Sequence, residues 1–340
     1  MGTGEHPHFQ RPYASGSLYH QVFPEMGCNL VKTAVLLTAY NGSAHLPALL
    51  ESLRTQTDPD FIVLTQDDGS TDETPELLRN AAAQDERFCF GTEQGAHLGA
   101  AGNFISLIRQ TDADYCLLCD QDDVWEPEKI ATLKQAIRDQ EEAYGRNTPL
   151  LVHSDCSLID ENGLPAGESF FRHQGWDPTA LTLNRLLVQN NVTGCTLIMN
   201  RPLIDLTASH ARAKDLFMHD WFIALTAASF GRIAFVDQPL TRYRQHAGNA
   251  IGASAKSLPA RALAALRNRK EAKRRILLTY THTKVFRKLY GDELPAAARK
   301  TVDSYLDTQR MKKIPRVLAV RRMGCIMQSP VTRLGQILFG

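Results

Sequence analysis

The chain has 340 residues, 43% of them hydrophobic, with a formal net charge of +1, so it can bury a real core and hold one large or two ordinary domains. The charge is uneven: from Lys256 onward 20 Lys plus Arg face 5 Asp plus Glu, a local excess of +15 that leaves −14 on the rest. An acidic body repels polyanionic nucleic acid, which excludes it as a partner, and seven scattered cysteines exclude a disulfide framework and suit a reducing compartment.

No run of about 18 apolar residues occurs, so nothing in the sequence reads as a bilayer span. Residues 1–32 lack the basic start and apolar stretch of a signal peptide and read as a loosely ordered leader. Thr33 to Thr38 is a short β-branched apolar run followed by Ala39-Tyr40-Asn41-Gly42, which predicts a strand and a turn. Ser43 is placed to cap a helix whose Leu46, Leu49, Leu50 and Leu53 share one face. Phe61 to Gln66 is the second strand and runs into Asp67-Asp68-Gly69-Ser70-Thr71-Asp72-Glu73, where Ser70 and Glu73 have capping-box spacing for a helix to about Gln84.

Arg87 to Gly91 offers a third strand, followed by the glycine-rich segment Gly95 to Asn103 and a helix to Arg109. The fourth strand is the apolar run Tyr115 to Cys119, which ends in Asp120-Gln121-Asp122-Asp123. Pro127 fits the first turn of the helix after it, and Ile130, Leu133 and Ile137 form that helix's apolar face. Four alternations of strand and helix predict an α/β fold with a parallel sheet covered by helices. Such sheets bind ligands beyond the carboxyl ends of their strands, so Tyr40-Asn41, Asp67-Asp68 and Asp120 to Asp123 should converge on one edge.

The second half is less regular. Leu150 to His153 and Cys195 to Asn200 read as strands, Asp160 to Gly163 as a turn and Leu181 to Val188 as a helical piece. Phe217 to Trp221 opens an apolar helix to about Phe230, and a strand from Arg232 to Val236 follows. Tyr243 to Asn249 closes the regular part, and beyond Ala255 the pattern is helical and basic.

Asp120-Gln121-Asp122 has the spacing with which two carboxylates address a hard divalent cation whose open positions suit diphosphate oxygens; acids enriched before a helix start explain the same residues. Asp67-Asp68 can cap a turn or accept hydrogen bonds from a nucleoside. Asp220, flanked by apolar residues, would have a raised pKa if desolvated and could act as a general base, with a helix cap as the competing account. His246, near Arg242 and Arg244, suits a metal, a phosphate or a plain surface position, whereas His97, His153 and His173 read as structural. Cys116 and Cys119 project to opposite faces of a strand and read as buried small hydrophobes.

The ordered set Ala39-Tyr40-Asn41-Gly42, Asp67 to Asp72, Gly99-Ala100-Ala101-Gly102-Asn103 and Asp120 to Asp123 resembles the family 2 glycosyltransferases of the GT-A fold. Asn191-Val192-Thr193-Gly194, His219-Asp220-Trp221 and Tyr243-Arg244-Gln245-His246 resemble later motifs of bacterial members that build surface polysaccharides such as lipopolysaccharide, rhamnosyltransferases among them. The resemblance covers residues 33–252 and implies a Rossmann-like, mostly parallel central sheet flanked by helices, with a basic helical region at 253–340. It implies that Thr38, Ala39, Tyr40, Asp67 and Asp68 hold the nucleoside of a dTDP- or UDP-linked sugar and that Asp120 lies near the ribose, with Asn103, Gln121 and Arg244 on the same side.

By the same resemblance Asp122 and His246 would hold Mg2+ or Mn2+, Asp220 would deprotonate the acceptor hydroxyl, and Gly194, His219 and Trp221 would lie on the acceptor side. The chemistry implied is a single inverting transfer to a glycan or lipid-linked acceptor, since the Q-x-x-R-W motif of processive synthases is missing. A non-catalytic nucleotide-binding or assembly module on the same fold is the alternative. A dinucleotide dehydrogenase fits poorly, because Gly95, Gly99 and Gly102 lack G-x-G-x-x-G spacing. Eleven Lys plus Arg against Glu271 alone between Lys256 and Lys288 suit a cytoplasmic protein lying on the anionic inner face of a membrane; a solvated face or a dimer contact suits them equally.

Overall fold

The computed structural model describes residues 33–91, 97–245 and 269–339. Its first part alternates as expected: β1 (Thr33–Ala39), α1 (Leu46–Arg54), β2 (Ile62–Asp67), α2 (Thr74–Gln84), β3 (Phe88–Phe90), α3 (Gly99–Gln110), β4 (Tyr115–Asp120), a short β5 (Val124–Trp125) and α4 (Lys129–Tyr144). There follow β6 (Leu150–Ile159), β7 (Pro165–Gly167), α5 (Phe170–Gln174), α6 (Leu183–Leu186), β8 (Leu197–Asn200), α7 (Arg201–His210), α8 (His219–Phe230) and β9 (Arg232–Arg244). Among the described residues after β9 there are four helices: α9 (Arg269–Tyr290), α10 (Ala296–Thr308), α11 (Lys313–Arg322) and α12 (Pro330–Phe339).

The nine strands form one sheet in the order β3-β2-β1-β4-β8-β6-β9-β5, with β7 paired to β6 off that path. The β3-β2-β1-β4 half is parallel throughout, and β8 is antiparallel to both β4 and β6. Register decides where the loops emerge. Ala39 pairs with Asp67, and Thr38 with Asp120, so the chain leaves β1, β2 and β4 at nearly one level.

Strand β1 is buried along its whole length, and its alternate residues feed two cores. Ala34 and Leu36 pack with Phe104, Ile105 and Ile108 of α3 and with α8, while Val35 and Leu37 pack with the leucines of α1 and with Ile130, Leu133 and Ile137 of α4. The helices of the basic region share the first of these cores. Tyr280, Phe286 and Tyr290 of α9 and Val302 and Tyr305 of α10 are buried in it, and Phe222 of α8 stacks on Tyr290 with ring centroids 5.6 Å apart.

Several local expectations change. Ser43 caps nothing: α1 begins at Leu46 with Pro47 in its first turn, and the Ser43 N–H donates to Asp72 Oδ2 at 3.0 Å. The Ser70/Glu73 capping box does not form, because the Asp67 carboxylate takes the N–H groups of Gly69 and Ser70 and the Ser70 hydroxyl, and α2 starts only at Thr74. Strand β6 runs on to Ile159 instead of stopping at His153, and Cys195 and Thr196 lie in a 3-10 turn before β8. Strand β9 continues through Asp237-Gln238-Pro239 to Arg244, because register shifts against β6 around Asp155 absorb a proline that a regular ladder would reject.

Gly231, between α8 and β9, is a point where only glycine fits: a Cβ there would lie 1.7 Å from the Pro149 carbonyl oxygen. Gly231→Ala should therefore lower stability by about 3 kcal/mol, read as a drop in the denaturant midpoint at unchanged m-value.

Candidate functional site

A cavity of about 460 Å³ opens at the carboxyl edge of the sheet. Of the residues singled out in the sequence, it is lined by Thr38, Ala39, Tyr40, Asp68, Asn103, Asp120, Gln121, Asp122, Gly194, His219 and Asp220. Residues separated by up to 182 positions thus meet in one space, as the strand-end argument requires.

The loop after β1 is stitched to its neighbours. Gln121 holds the Tyr40 main chain like a strand partner, its Oε1 accepting the N–H at 2.7 Å and its Nε2 donating to the carbonyl at 2.9 Å. Gly42 makes room for that amide, since a Cβ there would lie 2.1 Å from Gln121 Oε1. Asn41, at φ 47°, donates its N–H to Ser70 Oγ and accepts the Thr71 N–H on its side-chain oxygen, which ties the loop to the one after β2. Asn adopts this left-handed conformation more readily than other non-glycine residues.

The paired acids Asp67 and Asp68 divide their work. Asp67 is buried under its own loop and is not part of the cavity wall, so it shapes the loop after β2 without facing the cavity. Asp68 accepts the Leu98 and Gly99 N–H groups at 2.6 and 2.8 Å, capping α3 while bordering the cavity. Its Oδ2 lies 2.9 Å from His97 Nδ1, and the His97 ring sits 4.5 Å from Tyr40. His97, read as structural from the sequence, is thus part of the wall. Asn103 is held from below, its Oδ1 accepting from Gln66 Nε2 at 2.5 Å and its Nδ2 donating to Gly99 O at 3.2 Å.

At the end of β4, Asp120 and Asp122 face the cavity and Asp123 is fully buried beneath it. Burial, then the charges of Asp123, Asp122 and Asp220, push the Asp120 carboxyl well above the usual range. Asp123 Oδ1 accepts the Arg244 N–H at 3.2 Å, while its Oδ2 is buried without a hydrogen bond of ordinary geometry. Ligand atoms of Asp120, Asp123 and Cys195 lie within 4.8 Å of one another, so among the described residues these three form the tightest potential cation group; Asp122 is outside it. His246 lies outside the described residues.

A buried ammonium underlies these acids. Lys129 is fully buried, donates to the Cys195 carbonyl at 2.6 Å and to Thr241 Oγ1 at 2.9 Å, and sits 3.4 Å from the centre of the Trp125 ring. Burial pushes its pKa down to about 8, and the opposite charge of Asp123 pulls it back up.

Asp220 stands in the first turn of α8, 5% exposed. Burial pushes its carboxyl up to about 7, against the lowering effect of hydrogen bonds from the Trp221 and Gly194 N–H groups. Gly194 is pressed close to it: a Cβ there would lie 3.1 Å from His219 Nε2 and 3.6 Å from Asp220 Cβ. His219 is held neutral by burial, with its pKa at about 4, and its Nε2 has no hydrogen-bond partner.

Trp221 and Arg244 line other parts of the molecule. The Trp221 indole donates to Leu186 O at 2.6 Å and its ring packs on His282, so helical geometry turns it from the face its neighbours present. The Arg244 guanidinium donates to the carbonyls of Asp122, Asp160 and Glu161, holding the main chain of the acidic loop. Sequence reasoning missed the far wall formed by Phe170, Phe171 and Trp176; Tyr243, which also lines it, stood in a motif with no role assigned to it. The wall's visible signal was Ser169, which caps α5 and hydrogen-bonds the Asp155 carboxylate, but aromatic residues at irregular spacing have no period to read.

Residues 34–148 match the family model described as glycosyl transferase family 2. The chain is 26% identical over 231 residues to the dTDP-rhamnosyl transferase RfbG of Shigella flexneri, covering 64% of this chain and 74% of that protein. It is 23% identical over 223 residues to the putative glycosyltransferase EpsH of Bacillus subtilis, covering 64% of this chain and 62% of that protein, so it spans less than two thirds of that relative's length. Among solved structures, S. aureus TarS 1–349 in complex with UDP-GlcNAc shares the fold at a TM-score of 0.53 and 16% identity over 90% of this chain and 88% of that one.

Removing the buried ammonium should expose the cost of these acids. Lys129→Met should lower stability by about 3 kcal/mol at pH 8. The loss should shrink at pH 6, where the buried Asp123, itself pushed up by burial, takes a proton and no longer needs a counter-charge. Urea unfolding at the two pH values reads both effects.

Proposed function

We propose that this chain, whose residues 34–148 belong to glycosyl transferase family 2, moves one sugar from a nucleotide-diphosphate sugar to an acceptor hydroxyl, inverting the anomeric carbon. The observation that carries this reading is the meeting of Asp220, buried with a pKa near 7, and the Asp120/Asp122 pair in one cavity. A carboxylate tuned to neutral pH can take a hydroxyl proton, and in-line displacement needs that base on one side and a stabilised leaving diphosphate on the other.

The chain's residues then have distinct tasks. Thr38, Ala39, Tyr40 and Asp68 border the nucleoside, with Asn103 and Gln121 bracing that wall, and Asp67 shapes its loop. Asp120 lies on the ribose side, and Asp122, held in place through its carbonyl by Arg244, faces the diphosphate. Asp220 takes the proton of the acceptor hydroxyl beside Gly194, and the open Nε2 of neutral His219 offers that hydroxyl a further partner. The residues fit a divalent cation, because crowded carboxylates raise Asp120 and an orphaned Asp123 oxygen lies beneath them. Bound Mg2+ or Mn2+, with Asp122 as the cavity-facing ligand and His246 as the second, would supply charge stabilisation to the departing diphosphate.

The catalytic unit is assigned to 33–252, with the basic region 253–340 attached to it. The name of the Shigella relative supports dTDP-rhamnose as the first donor to try, and UDP-linked sugars the next. A glycan or lipid-linked acceptor of cell-surface polysaccharide synthesis, reached at the anionic inner face of a membrane, completes the reading.

Asp220→Asn should bind nucleotide diphosphate as the wild type does while sugar transfer, or donor hydrolysis with water as acceptor, falls at least about 1,000-fold; unchanged turnover would remove the base. Because the base works only when ionised, kcat/KM of the wild type should fall about tenfold per pH unit below pH 7 and level off above it.

The metal assignment separates by calorimetry of Mn2+ with UDP or dTDP. Asp122→Ala should abolish the metal-dependent part of nucleotide binding, whereas Cys195→Ser, altering the buried group, should leave it within about threefold. The opposite pattern would move the ion to the buried group.

A further inference from the structure

Between Thr308 and Phe339 the sequence holds seven Lys plus Arg and no Asp or Glu. Helix α11 lies within this stretch and carries apolar residues on its outward side as well as its inward one. Ile314 and Leu318 of α11, spaced i and i+4, are 73% and 49% exposed, and Met311, two residues before the helix, is 39% exposed. Val320 points the other way, buried beside Tyr280 and Tyr305 of the C-terminal helices. The exposed Lys312 and Lys313 precede the stripe, and the exposed Arg321 and Arg322 follow it. A single exposed leucine is ordinary, but apolar residues edged at both ends by cations, with no acid from Thr308 to Phe339, are the composition of a helix that lies in a lipid headgroup layer.

We infer that the outward face of α11 and the bend before it dock the protein on an anionic lipid surface, with Met311, Ile314 and Leu318 entering the apolar boundary and Lys312, Lys313, Arg321 and Arg322 meeting the headgroups. This deepens the membrane part of the proposed function, and rests on it, by naming the element and moving it from residues 256–288 to residues 311–322. A second copy of the chain is a poor occupant, since it would bring two acid-free cationic patches together. A solvated face accounts for the cations but leaves the outward stripe unexplained.

The test is co-sedimentation of the full chain with vesicles of phosphatidylcholine alone and of phosphatidylcholine with about one-third phosphatidylglycerol. The wild type should bind the anionic vesicles at least about tenfold more tightly, and raised salt should weaken binding. Ile314→Glu/Leu318→Glu, and separately Lys312→Glu/Lys313→Glu, should each lose at least about tenfold on anionic vesicles while thermal unfolding and nucleotide binding in solution stay as in the wild type. Equal binding to both vesicle types overturns the inference, as does undiminished binding by either variant. A concentration-dependent dimer that Ile314→Glu dissolves, without vesicle binding, also overturns it. Vesicle binding without turnover of any nucleotide sugar would sink the transfer reading and leave the surface standing; turnover without vesicle binding would do the reverse.

Discussion

The structure depends on how it tolerates several carboxylates at the end of one buried strand. Asp120, Asp122 and Asp123 follow a run whose five preceding residues are all buried, and Asp220 approaches from another helix. Like charges this close in low dielectric oppose folding unless something answers them. Lys129 answers from below: its hydrogen bonds to the Cys195 carbonyl and Thr241 join the turn beside Asp220 to strand β9. Arg244 answers from the side through main-chain carbonyls. Asp120 and Asp122 themselves border the cavity.

The same economy appears in the loops. Gln121 spends both ends of its amide on Tyr40, Asp68 caps α3, and Asp67 holds its own turn. Polar groups that read as candidate ligand contacts are thus partly committed to building the wall, as buried polar groups must be when water is excluded. The two groups that remain open or tuned, His219 Nε2 and the Asp220 carboxyl, lie side by side near Gly194. Burial accounts for both: it keeps the imidazole neutral and raises the carboxylate to where it can exchange a proton near neutrality.

The C-terminal helices have two faces with different work. Their aromatic residues join the core that also receives α8, so the helix carrying Asp220 is braced from behind by Phe286 and Tyr290. Their outer side keeps the charge excess that the composition announced. The location of that excess within the fold was hidden, because helical periodicity in α11 places Ile314 and Leu318 on a common face without saying whether that face points in or out.

The sequence by itself determined the parallel half of the sheet, since β-branched runs and leucine periodicity are local signals, and strand ends in such a sheet share an edge. It thereby brought Tyr40, Asp68, Asp120 and Asp122 under suspicion, and all four line one cavity with Asp220, which its apolar neighbours at a helix start had singled out. Tertiary structure alone decided which polar groups were already taken. Asp67, Trp221 and Arg244 carry motif positions yet are drawn to backbone N–H groups, a carbonyl and three carbonyls respectively. It also decided the second half, where Pro239 sits within β9 because a register shift admits it, and where Phe170 of α5, Trp176 of the loop after it and Tyr243 of β9 gather into one wall. Local patterns report what a segment prefers; hydrogen-bond partners, register shifts and desolvation come from neighbours far away in the chain, and no window along the sequence contains them.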